Sequence, residues 1–450
     1  MTAKKFWIFW VVTLFIKFIL SLYLPMGVDE SYYWVWSKNL QLSYFDHPPM
    51  VAWLFKLGEF SESFLNSVRW PAVFVGHLTL VAWYLIFKKH FEFKEFKSWF
   101  FIFCLSPILG MGSLIITPDL PLIAFWSFSI YFFLECLERP TKINYFIFGS
   151  MLGLGFLSKY HIVIFIPAAL GYIAYTKKWS LINKKYLFFT FISGLIFSSP
   201  VIYWNYLNDF SSFKFQLNHG LNGKQWTPSW IAGYLVGQFV VIFPLMFISA
   251  AKKNNKIPVW LYFFGWTPLC FFLITSLKGN VEINWPMMGY PAIYAIAIIN
   301  SEHRSWFKKI TIASWICIYV FVAAEIQFKF LAHPPRKFNE TFQYEPALQS
   351  ISKYQPIFAN TYQMASFIWY RTKKPFYKLY DMSRRDFYDD FPQAYPKESP
   401  FYVFADEIDA LPSWIKPKKY KIKIVEKLNH HLRVIQITRR IKDLTEEIED

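Results

Sequence analysis

A polytopic α-helical membrane protein ending in a small soluble α/β domain is the fold class that three observations predict. Apolar residues make up 55% of the 450-residue chain and charged residues only 17%, a balance too apolar for an ordinary soluble protein of this length. About eleven apolar runs approach the roughly 20 residues that a helix needs to cross a bilayer core. Basic residues collect between alternate runs, and the composition turns polar and proline-rich only after Phe328.

The runs are Phe6 to Leu24, Val68 to Phe87, Trp99 to Ile116, Leu120 to Leu137, Tyr145 to Leu157, Ile162 to Tyr175, Leu187 to Trp204, Trp230 to Ala250, Val259 to Leu277, Met287 to Ile299 and Ile310 to Phe328. The fifth, sixth and tenth are short, as tilted or re-entrant segments are. The first follows Lys4 and Lys5 but meets Leu24, Pro25 and Met26 instead of a small-residue cleavage site, so it reads as an uncleaved span. With the N-terminus in the cytoplasm, the cytoplasmic loops hold Lys88, Lys89, Lys94 and Lys97; Arg139 and Lys142; Lys177, Lys178, Lys184 and Lys185; Lys252, Lys253 and Lys256; and Arg304, Lys308 and Lys309. That is the positive-inside pattern. It accounts for the net charge of +17 better than nucleic-acid binding does. Cys104, Cys136, Cys270 and Cys317 each lie inside an apolar run without metal-pair spacing, and read as packing residues.

These boundaries give a membrane domain over residues 1–328, with a first outer loop at 25–67, and a soluble domain over 329–450. In the latter, Pro356 to Asn360, Pro375 to Tyr380 and Phe401 to Ala405 read as strands and Tyr362 to Tyr370 as a helix. Lys421 to Leu428 and Leu432 to Thr438 alternate with period two around Asn429, His430 and His431, the pattern of a hairpin. Glu446 to Asp450 reads as a frayed tail.

Under this topology the polar stations gather on the outer side: Asp29, Glu30, Asp46 and His47 in the first loop, Thr117-Pro118-Asp119, Ser158-Lys159-Tyr160-His161, the loop from Asn205 to Ser229 with His219, and Lys278 to Trp285 with Glu282. Pro25 and Gly27 place Asp29 and Glu30 in a loop at the membrane surface. Convergence on one side implies an outward-facing cavity. Each station also has a plainer reading. Asp29 and Glu30 suit the start of a helix near Ser31, Asp46 to Pro49 a turn, Asp119 the N-cap of the fourth span, Lys159 a snorkelling helix end and His219 a solvated loop. Tyr32 and Tyr33 fit an aromatic belt as well as a sugar platform, and Arg384 with Arg385 a solvated turn as well as a substrate contact.

GVDESYYWVWS and SYFDHPPMVAWL, followed by ITPDLPL, GLGFLSKYH, NHGLNGKQW, INWPMMGYPA, ANTYQMASFIWY and SRRDFYDDF, together resemble the bacterial polyprenyl-phosphate-dependent glycosyltransferases of the GT-C class. That group includes the protein O-mannosyltransferases and the lipid A aminoarabinose transferases. The resemblance covers most of the chain and rests on the order of the motifs. It implies Asp29 as the acid acting on the acceptor hydroxyl, Asp119 as a second catalytic acid, and Lys159 and His47 as partners of the donor phosphate. His47 stands where relatives often have a lysine. Glu30, Tyr32, Tyr33, Glu282, Arg384 and Arg385 are candidate substrate contacts, and Asp46 with His219 matches a site for a divalent metal in some relatives.

The implied activity is transfer of a sugar from a polyprenyl-phosphate donor to lipid A, lipopolysaccharide core, another envelope glycan or protein Ser/Thr, on the outer side of the cytoplasmic membrane. Polyprenyl lipid, membrane lipids and the acceptor are the expected partners. A nucleotide cofactor is not expected, because the sequence has no Gly-rich phosphate loop. A lipid-linked sugar flippase is the rival from another class, but repeated halves and charges in interrupted spans, the marks of many transporters, are not visible in the sequence. A sensor with a membrane anchor would not need so many spans. The topology is tested with single cysteines in a background without native ones: an impermeant thiol reagent applied to intact cells should label a site near Lys397 and leave one at Lys253 untouched, and the reverse pattern refutes it.

Overall fold

The computed structural model describes residues 2–440 apart from 66, 92, 222–226, 302–303, 329, 332–342, 407–410 and 430–431, so the expected hairpin turn at His430 and His431 and the acidic tail lie outside the described residues. The chain forms two compact units. One comprises Met1–Leu24 with Gln41–Leu331, and the other Pro25–Leu40 with Ala332–Asp450. The second boundary falls close to the expected one, whereas the front of the first outer loop joins the C-terminal unit instead of the spans.

Every one of the eleven apolar runs is helical in the first unit. Helix α1 is Ala3–Tyr23; α2 (Val28–Lys38) belongs to the second unit; α3 (Met50–Leu65) precedes a second span made of α4 (Trp70–His77) and α5 (Thr79–His90). Then come α6 (Phe93–Leu105), α7 (Asp119–Glu138), α8 (Lys142–Ser158), α9 (Phe165–Thr176), α10 (Leu187–Leu207), α11 (Ser211–Leu221), α12 (Pro228–Ile242), α13 (Pro244–Ala250), α14 (Val259–Thr275), α15 (Tyr290–Asn300) and α16 (Ser305–Phe328). Among the described residues, five helices are long and apolar enough to cross a membrane singly, and two bent pairs bring the number to seven. The bends have local causes. Pro107 follows the extended Ser106 and turns the chain by 66°, and Pro244 follows Phe243, at φ 80°, where it turns by 99°. A proline disfavours the helical conformation of the residue before it, and at Ser106 and Phe243 that residue is non-helical, so the chain bends there.

Aromatic side chains fill the interior of this unit. Trp83 and Trp99 stack with ring centroids 5.1 Å apart, and their indole N–H groups donate to Ser127 Oγ at 3.0 Å and the Pro291 carbonyl at 2.9 Å. These two buried indoles thus keep their polar edges satisfied. Phe188 and Phe191 of α10 are exposed instead, as an apolar surface facing lipid would be. All four cysteines are free, but Cys270 and Cys317 are exposed, so the packing reading holds for Cys104 and Cys136 only.

In the second unit, α17 (Glu345–Ser350) and α18 (Tyr362–Thr372) accompany strands β1 (Ile357–Phe358), β2 (Phe401–Asp406), β3 (Tyr420–Lys427) and β4 (Leu432–Arg439), ordered β1-β2-β4-β3. β3 and β4 pair antiparallel, as their alternation predicts, and β1 runs parallel to β2. The expected strand at Pro375 to Tyr380 is corrected: it forms a single bridge, Ala359 to Lys378, and beyond it the Tyr380 N–H donates to the Ala394 carbonyl at 2.9 Å instead of to a sheet strand, while Lys378 turns its ammonium inward. There it meets Asp386 Oδ2 and Asp389 Oδ2, both at 2.8 Å. Burial pushes the Asp386 carboxyl up to about 7 against the opposing pull of Lys378.

Helices α8 and α10 meet at Gly149, where an added Cβ would stand 2.1 Å from the Thr190 carbonyl oxygen. Small residues permit such backbone approach between membrane helices. Gly149→Val should therefore cost about 1–3 kcal/mol, the usual penalty of overpacking, and lower the melting temperature in detergent. Gly233→Val, where no heavy atom lies within 4 Å of the added Cβ, should leave it unchanged.

Candidate functional site

The buried centre of the first unit's polar stations is an ion pair. Lys159 Nζ donates to Asp119 Oδ1 at 2.8 Å and to Oδ2 at 3.0 Å. Asn284 Nδ2 donates to Oδ2 from a third segment at 2.8 Å. Asp119 is 2% and Lys159 5% exposed, so neither charge can lean on bulk water and each requires the other. Three breaks in helical structure bring the groups together. Asp119 opens α7 behind Pro118, Lys159 caps the end of α8 in an extended conformation, and Asn284 lies in the loop before α15.

That last loop is held from behind. The Ile283 carbonyl accepts from Gln238 Nε2 at 2.9 Å, and the Tyr290 hydroxyl, with one proton to give, lies 2.5 Å from Gln238 Oε1 and 3.0 Å from the Ile283 carbonyl oxygen. Asn284 was not among the sequence candidates. Its motif INWPMMGYPA was, but an amide has no feature in sequence that separates a carboxylate partner from an ordinary loop residue. Glu282, two positions earlier, is exposed.

The rear of the first outer loop belongs to the same unit. Asp46 is 4% exposed, and its main-chain carbonyl accepts from Gln216 Nε2 at 2.6 Å. Phe45 packs on Phe215 with centroids 4.7 Å apart, and Trp204 Nε1 donates to Gln41 Oε1 at 3.0 Å. His47 is half-buried, and its carbonyl accepts from the Tyr44 N–H at 3.2 Å. His219 lies on α11, and its side chain lies outside the described residues. Among the described residues there is no group of three or more His, Cys, Asp or Glu side chains able to hold a metal ion. Arg69, unnoticed in the sequence, is buried and donates through Nη1 to the carbonyls of Ser21 at 2.9 Å and Leu24 at 2.8 Å, satisfying the end of α1.

The remaining candidates lie in the second unit. Asp29 and Glu30 are not in a loop: α2 begins at Val28, and both acids occupy its first turn, where carboxylates complement the helix dipole. Glu30 is 1% exposed and its Oε2 accepts from the Gly27 N–H at 3.0 Å, so it serves the helix start. Asp29 is exposed. Tyr32 and Tyr33 are buried. The Tyr32 hydroxyl accepts from the Phe387 N–H at 3.0 Å and its ring lies 4.4 Å from that of Tyr362, which makes it a joint between α2 and the C-terminal chain. Arg384 and Arg385 are exposed; the Arg384 guanidinium sits 4.8 Å from the Tyr362 ring centre, and Arg385 pairs with Asp390 at 3.5 Å.

Comparison with known proteins bears on the fold. Residues 46–204 match the family model described as dolichyl-phosphate-mannose-protein mannosyltransferase. Lipid A galacturonosyltransferase RgtD of Rhizobium johnstonii is 22% identical over 294 residues, which cover 60% of this chain and 59% of that protein. The match thus spans about three-fifths of the relative's length. Crystal structures of ArnT from Cupriavidus metallidurans superpose over 97% of this chain and 98% of theirs at 13% identity, with a TM-score of 0.64 for the form bound to undecaprenyl phosphate and 0.65 for the apo form. The expected GT-C architecture is therefore the fold of this chain, a polytopic membrane protein built like ArnT, within which residues 46–204 match the mannosyltransferase family model.

Proposed function

We propose that the protein is an integral membrane glycosyltransferase that moves a sugar from a polyprenyl-phosphate donor to an envelope acceptor, lipid A or a related glycan, on the outer side of the cytoplasmic membrane. The observation that carries this reading is the near-complete likeness to ArnT, reinforced by the match to a lipid A galacturonosyltransferase. The family description also favours a second reading, protein O-mannosyl transfer.

The chemistry is a displacement at the anomeric carbon. The acceptor oxygen bonds to that carbon while its proton passes to a base. The bond from the anomeric carbon to the phosphate oxygen breaks, and its electron pair leaves with polyprenyl phosphate. Asp29, exposed on the first turn of α2, is the proposed base. The leaving phosphate requires positive charge or hydrogen-bond donors. Lys159 carries three N–H groups; both oxygens of Asp119 face one side of this ammonium, and the lysine's proposed part is to offer an N–H to the phosphate. Both oxygens of Asp119 are engaged by Lys159 and Asn284, so its proposed part is to position the lysine. A divalent ion, if held by Asp46 and His219, would supply further charge to the phosphate.

Reconstitution with labelled polyprenyl-phosphate sugars and envelope acceptors tests the reading: labelled acceptor means transfer, whereas movement of intact donor across the bilayer means a flippase. Chelation before the assay tests the metal. Asp29→Asn should transfer at no more than about one hundredth of the normal rate, the lower end of general-base effects, with donor binding retained, and Glu30→Gln should do less harm. Near-normal turnover of Asp29→Asn removes it as the base. Lys159→Met should destabilise by roughly 3–5 kcal/mol by stranding the Asp119 carboxylate, and adding Asp119→Leu should recover part of that loss in a thermal double-mutant cycle.

A further inference from the structure

One histidine beside the ion pair has a ring atom that the fold leaves unused. His161 follows Lys159 by two residues in the short helical turn Tyr160–Ile164. The Trp285 main chain makes a hydrogen bond with the imidazole, and the charges of Lys159 and His47 act on it. Nδ1 is buried and has no hydrogen-bond partner among the described residues. The Trp285 bond therefore belongs to Nε2, and with the carbonyl accepting it, the ring carries its proton on Nε2 and a bare lone pair on Nδ1. A buried acceptor left without a donor is costly, and in a native site that cost points to a ligand that satisfies it.

The lone pair selects the chemistry. A phosphate oxygen is itself an acceptor and would face Nδ1 acceptor to acceptor, whereas a hydroxyl donates. The walls agree: the Phe272 ring lies 4.8 Å and the Trp285 ring 5.5 Å from the imidazole, centre to centre. These rings offer the imidazole no polar partner, so the directed atom is Nδ1. Lys159 stands on the same turn of chain.

We propose that His161 Nδ1 accepts a hydrogen bond from a hydroxyl of the transferred sugar, so that His161 recognises the sugar of the donor, not its phosphate. This rests on the glycosyltransferase reading above. Binding of radiolabelled lipids to the purified full-length protein separates the two. The probes are undecaprenyl phosphate alone and the same lipid carrying mannose, galacturonate or aminoarabinose. In the wild type at least one glycosylated lipid should bind more tightly than undecaprenyl phosphate. His161→Gln, whose amide reaches the Nε2 position and keeps the Trp285 contact, should lose roughly tenfold of that advantage, the factor carried by one hydrogen bond of ordinary strength. It should bind bare undecaprenyl phosphate as before. His161→Asn, whose amide sits at the Nδ1 position, should restore most of the loss. A wild type that binds undecaprenyl phosphate but gains nothing from any of the sugars overturns the inference. So does a His161→Gln protein that keeps the full advantage or weakens both lipids alike. A wild type that binds none of the lipids removes the glycosyltransferase reading itself.

Discussion

A lysine and an aspartate buried together in an apolar membrane unit constrain everything around them. Neither charge is tolerable alone in that setting, so the segments that carry them cannot move independently. Asp119 ties the start of α7 to the end of α8 through Lys159, and Asn284 draws in the loop ahead of α15. The supporting shell then has a purpose. Gln238, with Tyr290 beside it, holds the Ile283 carbonyl so that the next residue reaches the carboxylate. Removing the aspartate or the lysine frees an uncompensated charge, while removing Asn284 would only loosen one segment.

Much of the membrane architecture was legible because the bilayer imposes a simple rule: a spanning segment must be apolar and satisfy its own backbone. All eleven runs are helical, and among the described residues five of the helices, or seven spans with the bent pairs, are long enough to cross a bilayer. Their ends were less legible, since Pro107 and Pro244 bend two of them by angles that hydropathy does not encode. The hairpin of β3 and β4 was legible from alternation, whereas Pro375 to Tyr380 was not, because the Tyr380 N–H goes to the Ala394 carbonyl instead of to a sheet strand and Lys378 points inward to two carboxylates.

The site was legible in its residue types and not in its groupings. Asp119 and Lys159 stood out as acid and base near run ends, but their pairing joins positions 40 residues apart, and Asn284 is 165 residues from Asp119. The largest surprise concerns α2. Its sequence looks like part of an outer loop of the spans, yet Tyr32 docks on Phe387 and Tyr362, more than three hundred positions along the chain. Such long-range docking leaves no periodic trace. The tyrosines read as an aromatic belt are a joint.

That joint also separates the roles of two neighbouring acids. On α2 every residue from Glu30 to Ser37 is buried, whereas Asp29 just ahead of them is exposed. Glu30 closes the first turn through Gly27. The backbone amide that Glu30 satisfies would otherwise be one of the orphan donors at a helix start. Its carboxylate is thereby committed to the helix start, whereas Asp29 is exposed. The pattern Asp-Glu is thus not a duplicated acid. One member fixes the helix whose rigidity, borrowed from Tyr32 and its partners, sets the direction in which the other is presented.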